Sequence, residues 1–163
     1  MSTVRMTLNG SVLRTEVEPR TSLADFLREH MNLTATHLGC EHGVCGACTV
    51  LVDGEPVRGC LTLAVACEGA CVRTLEGLRD DTVMRALVEA FHENHGLQCG
   101  FCTPGMLVTA RDLILRGKTG GEREIRLGLS GNLCRCTGYT SIVESIRRAA
   151  EALDDGDTGG GVV

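Results

Sequence analysis

Four cysteines constrain the first half of this 163-residue chain more than anything else in it. Cys40, Cys45 and Cys48 stand in a C-x4-C-x2-C pattern, and Cys60 lies downstream. That is the plant-type spacing for a 2Fe–2S cluster. A loop can lend three thiolates to one cluster only if its backbone bends tightly. Gly39, Gly43 and Gly46 lie in that loop, where positive φ or close backbone approach is cheap. Their N–H groups are then free to point at sulfur and stabilise a negative cluster. A zinc ribbon prefers paired C-x2-C knuckles, which the step from Cys40 to Cys45 fits poorly.

A second group follows: Cys99-x2-Cys102 and, far downstream, Cys134-x-Cys136. Two pairs again give four thiolates, placed before or between helical segments whose N-terminal amides favour an anion. Read alone, this group suits zinc about as well as iron. Cys67 and Cys71 are left over in a small-residue stretch and read as buried small hydrophobes rather than ligands. The histidines at 30, 37, 42, 92 and 95 are scattered. His92 and His95 read as an ordinary helix end, and His42 as a solvent-facing side chain of the cluster loop.

Composition narrows the function. Ten cysteines with no apparent secretion signal point to metal in a reducing compartment rather than to disulfides. No apolar run reaches the ~20 residues of a membrane span, so a soluble, cytoplasmic protein is expected. Aromatics are only 2% and the net charge is −5, which argues against a stacking or phosphate-binding nucleic-acid surface. G-x-S-x-G, Walker and Rossmann patterns are missing, and no nucleophile or acid–base pair stands out. The chain reads as a wire, without a reaction site of its own.

Periodicity divides it in two. Val4, Met6 and Leu8 alternate, Asn9-Gly10 signals a type I′ turn, and Leu13, Thr15 and Val17 alternate again. Ser22 and Asp25 resemble a capping box for a short helix carrying Leu23, Phe26 and Leu27. Residues 49–52 and 56–58, around Asp53-Gly54, predict a second hairpin, and 71–75 one more strand. The period then becomes helical over 82–94. Thr103 is placed to cap a helix with Pro104 at its first position. Further helices are expected over 122–129 and 140–153. The fold class is therefore α+β: a small mixed sheet over residues 1–76, a four-helix bundle domain over 77–153, and a disordered acidic Gly-rich tail over 154–163.

Three longer stretches carry a family resemblance. They are Gly39-Cys40-Glu41-His42-Gly43-Val44-Cys45-Gly46-Ala47-Cys48, with Cys60-Leu61; Gln98-Cys99-Gly100-Phe101-Cys102-Thr103-Pro104-Gly105-Met106; and Gly131-Asn132-Leu133-Cys134-Arg135-Cys136-Thr137-Gly138-Tyr139. Over roughly residues 3–150 the chain resembles the small iron–sulfur subunit of the molybdenum hydroxylases, the xanthine dehydrogenase/aldehyde oxidase family. The resemblance implies a β-grasp ferredoxin domain and turns the ambiguous second group into an iron–sulfur site. The implied ligands are Cys40, Cys45, Cys48 and Cys60 for one 2Fe–2S cluster and Cys99, Cys102, Cys134 and Cys136 for the other. It also implies a large partner subunit with a molybdopterin cofactor and molybdenum, a medium partner with FAD, and a dimer of heterotrimers.

In such an enzyme the large subunit hydroxylates a purine, an aldehyde or an N-heteroaromatic compound. Electrons then pass through the helical-domain cluster and the ferredoxin-domain cluster to FAD. Gln98 and Cys136 are implied to lie nearest the pterin. Competing readings are a stand-alone two-cluster carrier, although a lone ferredoxin would not need the second domain, and a colourless zinc module.

Overall fold

The computed structural model describes residues 1–158. Five strands form a mixed sheet in the order β2-β1-β5-β3-β4: β1 (Ser2–Leu8), β2 (Ser11–Val17), β3 (Thr49–Val52), β4 (Glu55–Arg58) and β5 (Cys71–Arg73). β1 and β5 run parallel, and the other neighbours are antiparallel. Both hairpins turn on the expected dipeptides. Asn9 and Gly10 have φ of 48° and 86°, and Asp53 and Gly54 have 51° and 85°, the paired positive φ of a type I′ turn. Asn9 also reaches across the sheet, donating from Nδ2 to Thr74 Oγ1 at 3.0 Å and accepting from the Thr74 N–H at 2.9 Å.

Helix α1 (Leu23–Asp25) starts where expected: Ser22 Oγ accepts from the Asp25 N–H at 3.0 Å. It continues as a π turn over Phe26–His30. Leu23, Phe26 and Leu27 are wholly buried against Val4, Met6, Val17, Val50 and Val72 from the sheet.

Four helices follow: α2 (Thr82–Glu93), α3 (Thr103–Leu115), α4 (Glu122–Gly128) and α5 (Tyr139–Thr158). The α3 segment Gly105–Ala110 is buried on every side, because α3 lies between the sheet and the other helices. Leu51 of β3 points to this second core while its neighbour Val50 points to the first, as alternation along a strand requires. β3 is thus covered on both faces, and the two halves of the chain share a packed seam.

Four expectations are corrected. The α3 N-cap is Cys102, with Thr103 already helical, and no side chain caps it. Strand β5 ends at Arg73, because Thr74 is held by Asn9 instead of by a ladder. Cys71 is exposed: it and Arg73 alternate with the inward-facing Val72. Helix α5 runs to Thr158, through part of the expected tail, since each residue added to an existing helix closes another backbone bond. The rest of that tail, 159–163, lies outside the described residues. Among the described residues no helix is long and apolar enough to cross a membrane.

Candidate metal centres

The eight paired cysteines fall into two groups. In the first, Cys40 meets Cys45, Cys45 lies beside Cys48, and Cys48 meets Cys60 thiol to thiol. Cys48 is brought to the mouth of β3, and Cys60 follows β4, so the second hairpin returns the fourth thiol to the loop that carries the other three. The loop curls around Cys40. The N–H groups of His42 and Cys45 both point at Cys40 Sγ, each at 3.4 Å. Glu41, Gly43 and Gly46 have φ of 56°, 74° and 73°, the left-handed bends this curl needs.

The second group closes as a ring: Cys99 meets Cys136, Cys102 meets Cys134, and each pair lies beside the other. Cys102 caps α3, and the segment with Cys134 and Cys136 leads into α5. Tyr139 holds that segment, its hydroxyl accepting from the Cys134 N–H at 2.8 Å. The Phe101 N–H points at Cys99 Sγ at 3.5 Å.

These environments shift the thiols in opposite directions. The N–H groups of Cys45 and His42 lower Cys40 to about 6. Burial, with Cys60 alongside, raises Cys48 to about 11. Burial, with Cys134 alongside, raises Cys102 to about 12. The Phe101 N–H lowers Cys99, and the neighbouring Cys99 thiol raises Cys136. Each quartet therefore holds a lowered thiol beside a raised one.

The donor set suits a two-iron cluster. The thiols meet in pairs, and a cluster of two irons wants two thiolates at each end. Room is kept for it: a Cβ on Gly39 would stand 3.2 Å from Cys45 Sγ.

Between the two quartets lies a cavity of about 380 Å³ lined by Cys45 from one and Cys99, Cys102 and Cys134 from the other, with Phe101 and Leu133. Phe101 is itself half-exposed. The ring stacks on His37 with centroids 4.8 Å apart, and His37 Nδ1 lies 2.7 Å from the Phe101 carbonyl oxygen. A larger groove of about 700 Å³ runs along α2 past Leu75, Met84 and Val88, but it contains no thiol.

Other expected residues fall as follows. Gln98 is exposed, and its Nε2 donates to the Cys136 carbonyl at 3.1 Å, so the two residues singled out together do meet. Cys67 is 1% exposed within the first core, remote from a ligand role. His42 is exposed, and its Nδ1 contacts the Cys40 carbonyl. Arg58, Asn132 and Tyr139 hold the thiol loops, a role their sequence positions do not announce, although Asn132 and Tyr139 lie in the third stretch that carries the resemblance.

A mixed sheet with a cysteine-rich loop, followed by four helices carrying a second thiol quartet, defines a two-domain iron–sulfur protein. The comparisons agree. Residues 14–95 match the 2Fe-2S iron-sulfur cluster binding domain, and residues 74–147 match the 2Fe-2S binding domain. The chain is 54% identical to caffeine dehydrogenase subunit gamma of Pseudomonas sp. strain CBB1, over 93% of this chain and 92% of that one. It is 50% identical to the nicotine 6-hydroxylase small subunit of Paenarthrobacter nicotinovorans, over 85% and 84%. Its fold superposes on quinoline 2-oxidoreductase from Pseudomonas putida 86 with a TM-score of 0.88 and 49% identity, covering 95% of this chain and 97% of that one. The chain belongs to the family of small 2Fe–2S subunits of molybdenum hydroxylases, and is the iron–sulfur part of an oxidoreductase.

Proposed function

We propose that this chain relays electrons one at a time between a molybdopterin centre in a large partner subunit and FAD in a medium one, through a 2Fe–2S cluster in each thiol quartet. The observation that carries the reading is the cavity that Cys45 of the first quartet shares with Cys99, Cys102 and Cys134 of the second, beside a packed seam. Each cluster, when bound, accepts and gives up a single electron.

The protein's part is to hold, orient and screen. Cys40, Cys45, Cys48 and Cys60 would hold the first cluster, within residues 1–76. Cys99, Cys102, Cys134 and Cys136 would hold the second, from residue 77 onward. The N–H groups of His42, Cys45 and Phe101 stabilise negative charge on sulfur. Phe101 and Leu133, with Ala47, give the space between the quartets apolar lining beside Arg135 and Tyr139. The Gln98–Cys136 pair, with Gln98 exposed and Cys136 half-buried, would face the pterin, and the exposed rim of the first loop, with Val44 and Leu61, would face the flavin subunit. The relatives' names favour an N-heteroaromatic substrate, bound by the large subunit.

The test is the native complex. The reading requires this chain to co-purify with two larger chains and to hold about four irons and as much acid-labile sulfide. It also requires two distinct EPR signals after reduction. Zinc, or one two-iron centre at full loading, would refute it.

A further inference from the structure

The polar groups buried between the quartets are ligands of neither. Asn132 is 2% exposed and lies two residues before Cys134. Its Nδ2 donates to the carbonyl of Gly46, in the first thiol loop, at 3.1 Å, and reaches Thr49 Oγ1 at 3.5 Å. Its Oδ1 accepts from the Thr109 hydroxyl of α3 at 3.0 Å. Arg58 braces the pair from β4: Nη1 donates to Thr49 Oγ1 and Nη2 to the Gly131 carbonyl, both at 2.6 Å. One amide thus ties together β3, α3 and both thiol loops, and its rotamer and amide orientation are fixed by partners on three sides.

The backbones beneath it are already in contact. A Cβ on Gly46 would stand 2.3 Å from the Gly131 oxygen, and one on Gly105 2.3 Å from the Gly46 oxygen. The two loops can therefore come no closer. What the amide adds is direction. The fold does not need it for cohesion, since apolar cores lie on both sides of the seam and a buried hydrogen bond adds only modest net stability. Directional bonds at fixed angles instead select one register of one loop on the other.

We propose that Asn132 is a positioning residue for electron transfer, its clamped amide setting the separation and orientation of the two clusters. The proposal rests on the reading that both quartets hold 2Fe–2S clusters. Electron tunnelling falls exponentially with separation, and magnetic coupling between two reduced clusters falls with its inverse cube. Both quantities report a slip at this junction.

The experiment uses the assembled complex carrying Asn132→Asp, which turns the donor facing the Gly46 carbonyl into an acceptor. Thr109→Val keeps the side-chain shape and removes only the hydroxyl, and Thr109→Ser is the conservative rescue. Iron content, the EPR spectrum of the fully reduced complex, and rapid-freeze EPR following electrons from one cluster to the other are measured together. In Asn132→Asp and Thr109→Val the expected result is both signals at full iron content, a changed magnetic splitting and a several-fold slower transfer. Thr109→Ser should match the wild type. If Asn132→Asp fails to assemble, Thr109→Val decides alone. Wild-type splitting and rate in Thr109→Val, at full iron content, overturn the proposal while leaving the relay reading intact. A wild-type complex without two EPR-active clusters overturns both.

Discussion

The backbone N–H of Leu133 donates to the carbonyl of Cys45 at 2.8 Å, a direct bond between the second thiol segment and the first. It forms only because glycines let the chains touch there. Gly105 is the test case. It lies in the first turn of α3, where alanine is ordinarily better than glycine by about 1 kcal/mol. Here a Cβ would lie 2.3 Å from the Gly46 oxygen and 3.1 Å from the Ala47 Cα and oxygen, all backbone atoms. Gly105→Ala should therefore reverse the sign and destabilise by about 1–3 kcal/mol or more. Urea unfolding of wild type and variant side by side checks it. A stabilised variant would show that the seam yields easily.

Asp81 has two duties. It caps α2, accepting from the Met84 N–H at 2.9 Å, and it pairs with Arg111 of α3 at 2.7 Å, both side chains about six-sevenths buried. Burial raises its carboxyl, but the Arg111 guanidinium and the Met84 N–H outweigh this, and the net shift is downward. A carboxyl lowered on folding stabilises above its unfolded value and loses that contribution as pH falls through the folded one. Asp81→Ala should cost about 2–3 kcal/mol at neutral pH from the lost cap and charge-assisted bond. The gap to wild type should hold steady down to about pH 4 and close below it. Chemical denaturation of both proteins across that range measures it, and a gap independent of pH would show that folding does not lower this carboxyl.

Local chemistry made much of this fold legible in the sequence. The hairpins follow from Asn9-Gly10 and Asp53-Gly54, the α1 start from Ser22, and the α2 limits from a strong apolar stripe. The first quartet is legible as a spacing because its cluster loop is a local object, whereas the second needed the family resemblance to be told from a zinc site. What stayed hidden is non-local. Nothing near Asn132 in sequence announces a hydrogen bond to Gly46, 86 residues away, or to Thr109, 23 away. Cys71 escaped for a different reason. A three-residue strand is too short for its alternation to be read, so an exposed thiol looked like a buried one.

The leftover cysteines separate packing from ligation. Cys67 lies in the first core, its Sγ donating weakly to the Leu63 carbonyl at 3.8 Å, and burial raises its thiol above the ordinary value. A buried thiol of that kind is inert. Cys67→Ala should keep the full iron content and cost about 1 kcal/mol for the lost sulfur volume. Cys102→Ser should instead remove about half the iron and one of the two EPR signals. Iron analysis of the two variants against wild type distinguishes the roles, and iron lost from Cys67→Ala would reopen its assignment.

Phe101 lines the space between the quartets and is itself half-exposed. A Cβ added at Gly39 would lie 3.3 Å from its Cε1 and 3.2 Å from the Cys45 sulfur. Its other face stacks on His37. Reduction adds negative charge to a cluster, and water stabilises added charge better than an aromatic ring does. Opening the cavity with Phe101→Ala should therefore raise the reduction potential of at least one cluster, because solvent exposure is among the factors that set such potentials. His37→Ala removes only the outer stacking partner and should shift it less. Redox titration followed by EPR gives both potentials in each variant. A larger upward shift in His37→Ala than in Phe101→Ala would mean that the screening comes from the stack as a unit, with the histidine as its main part.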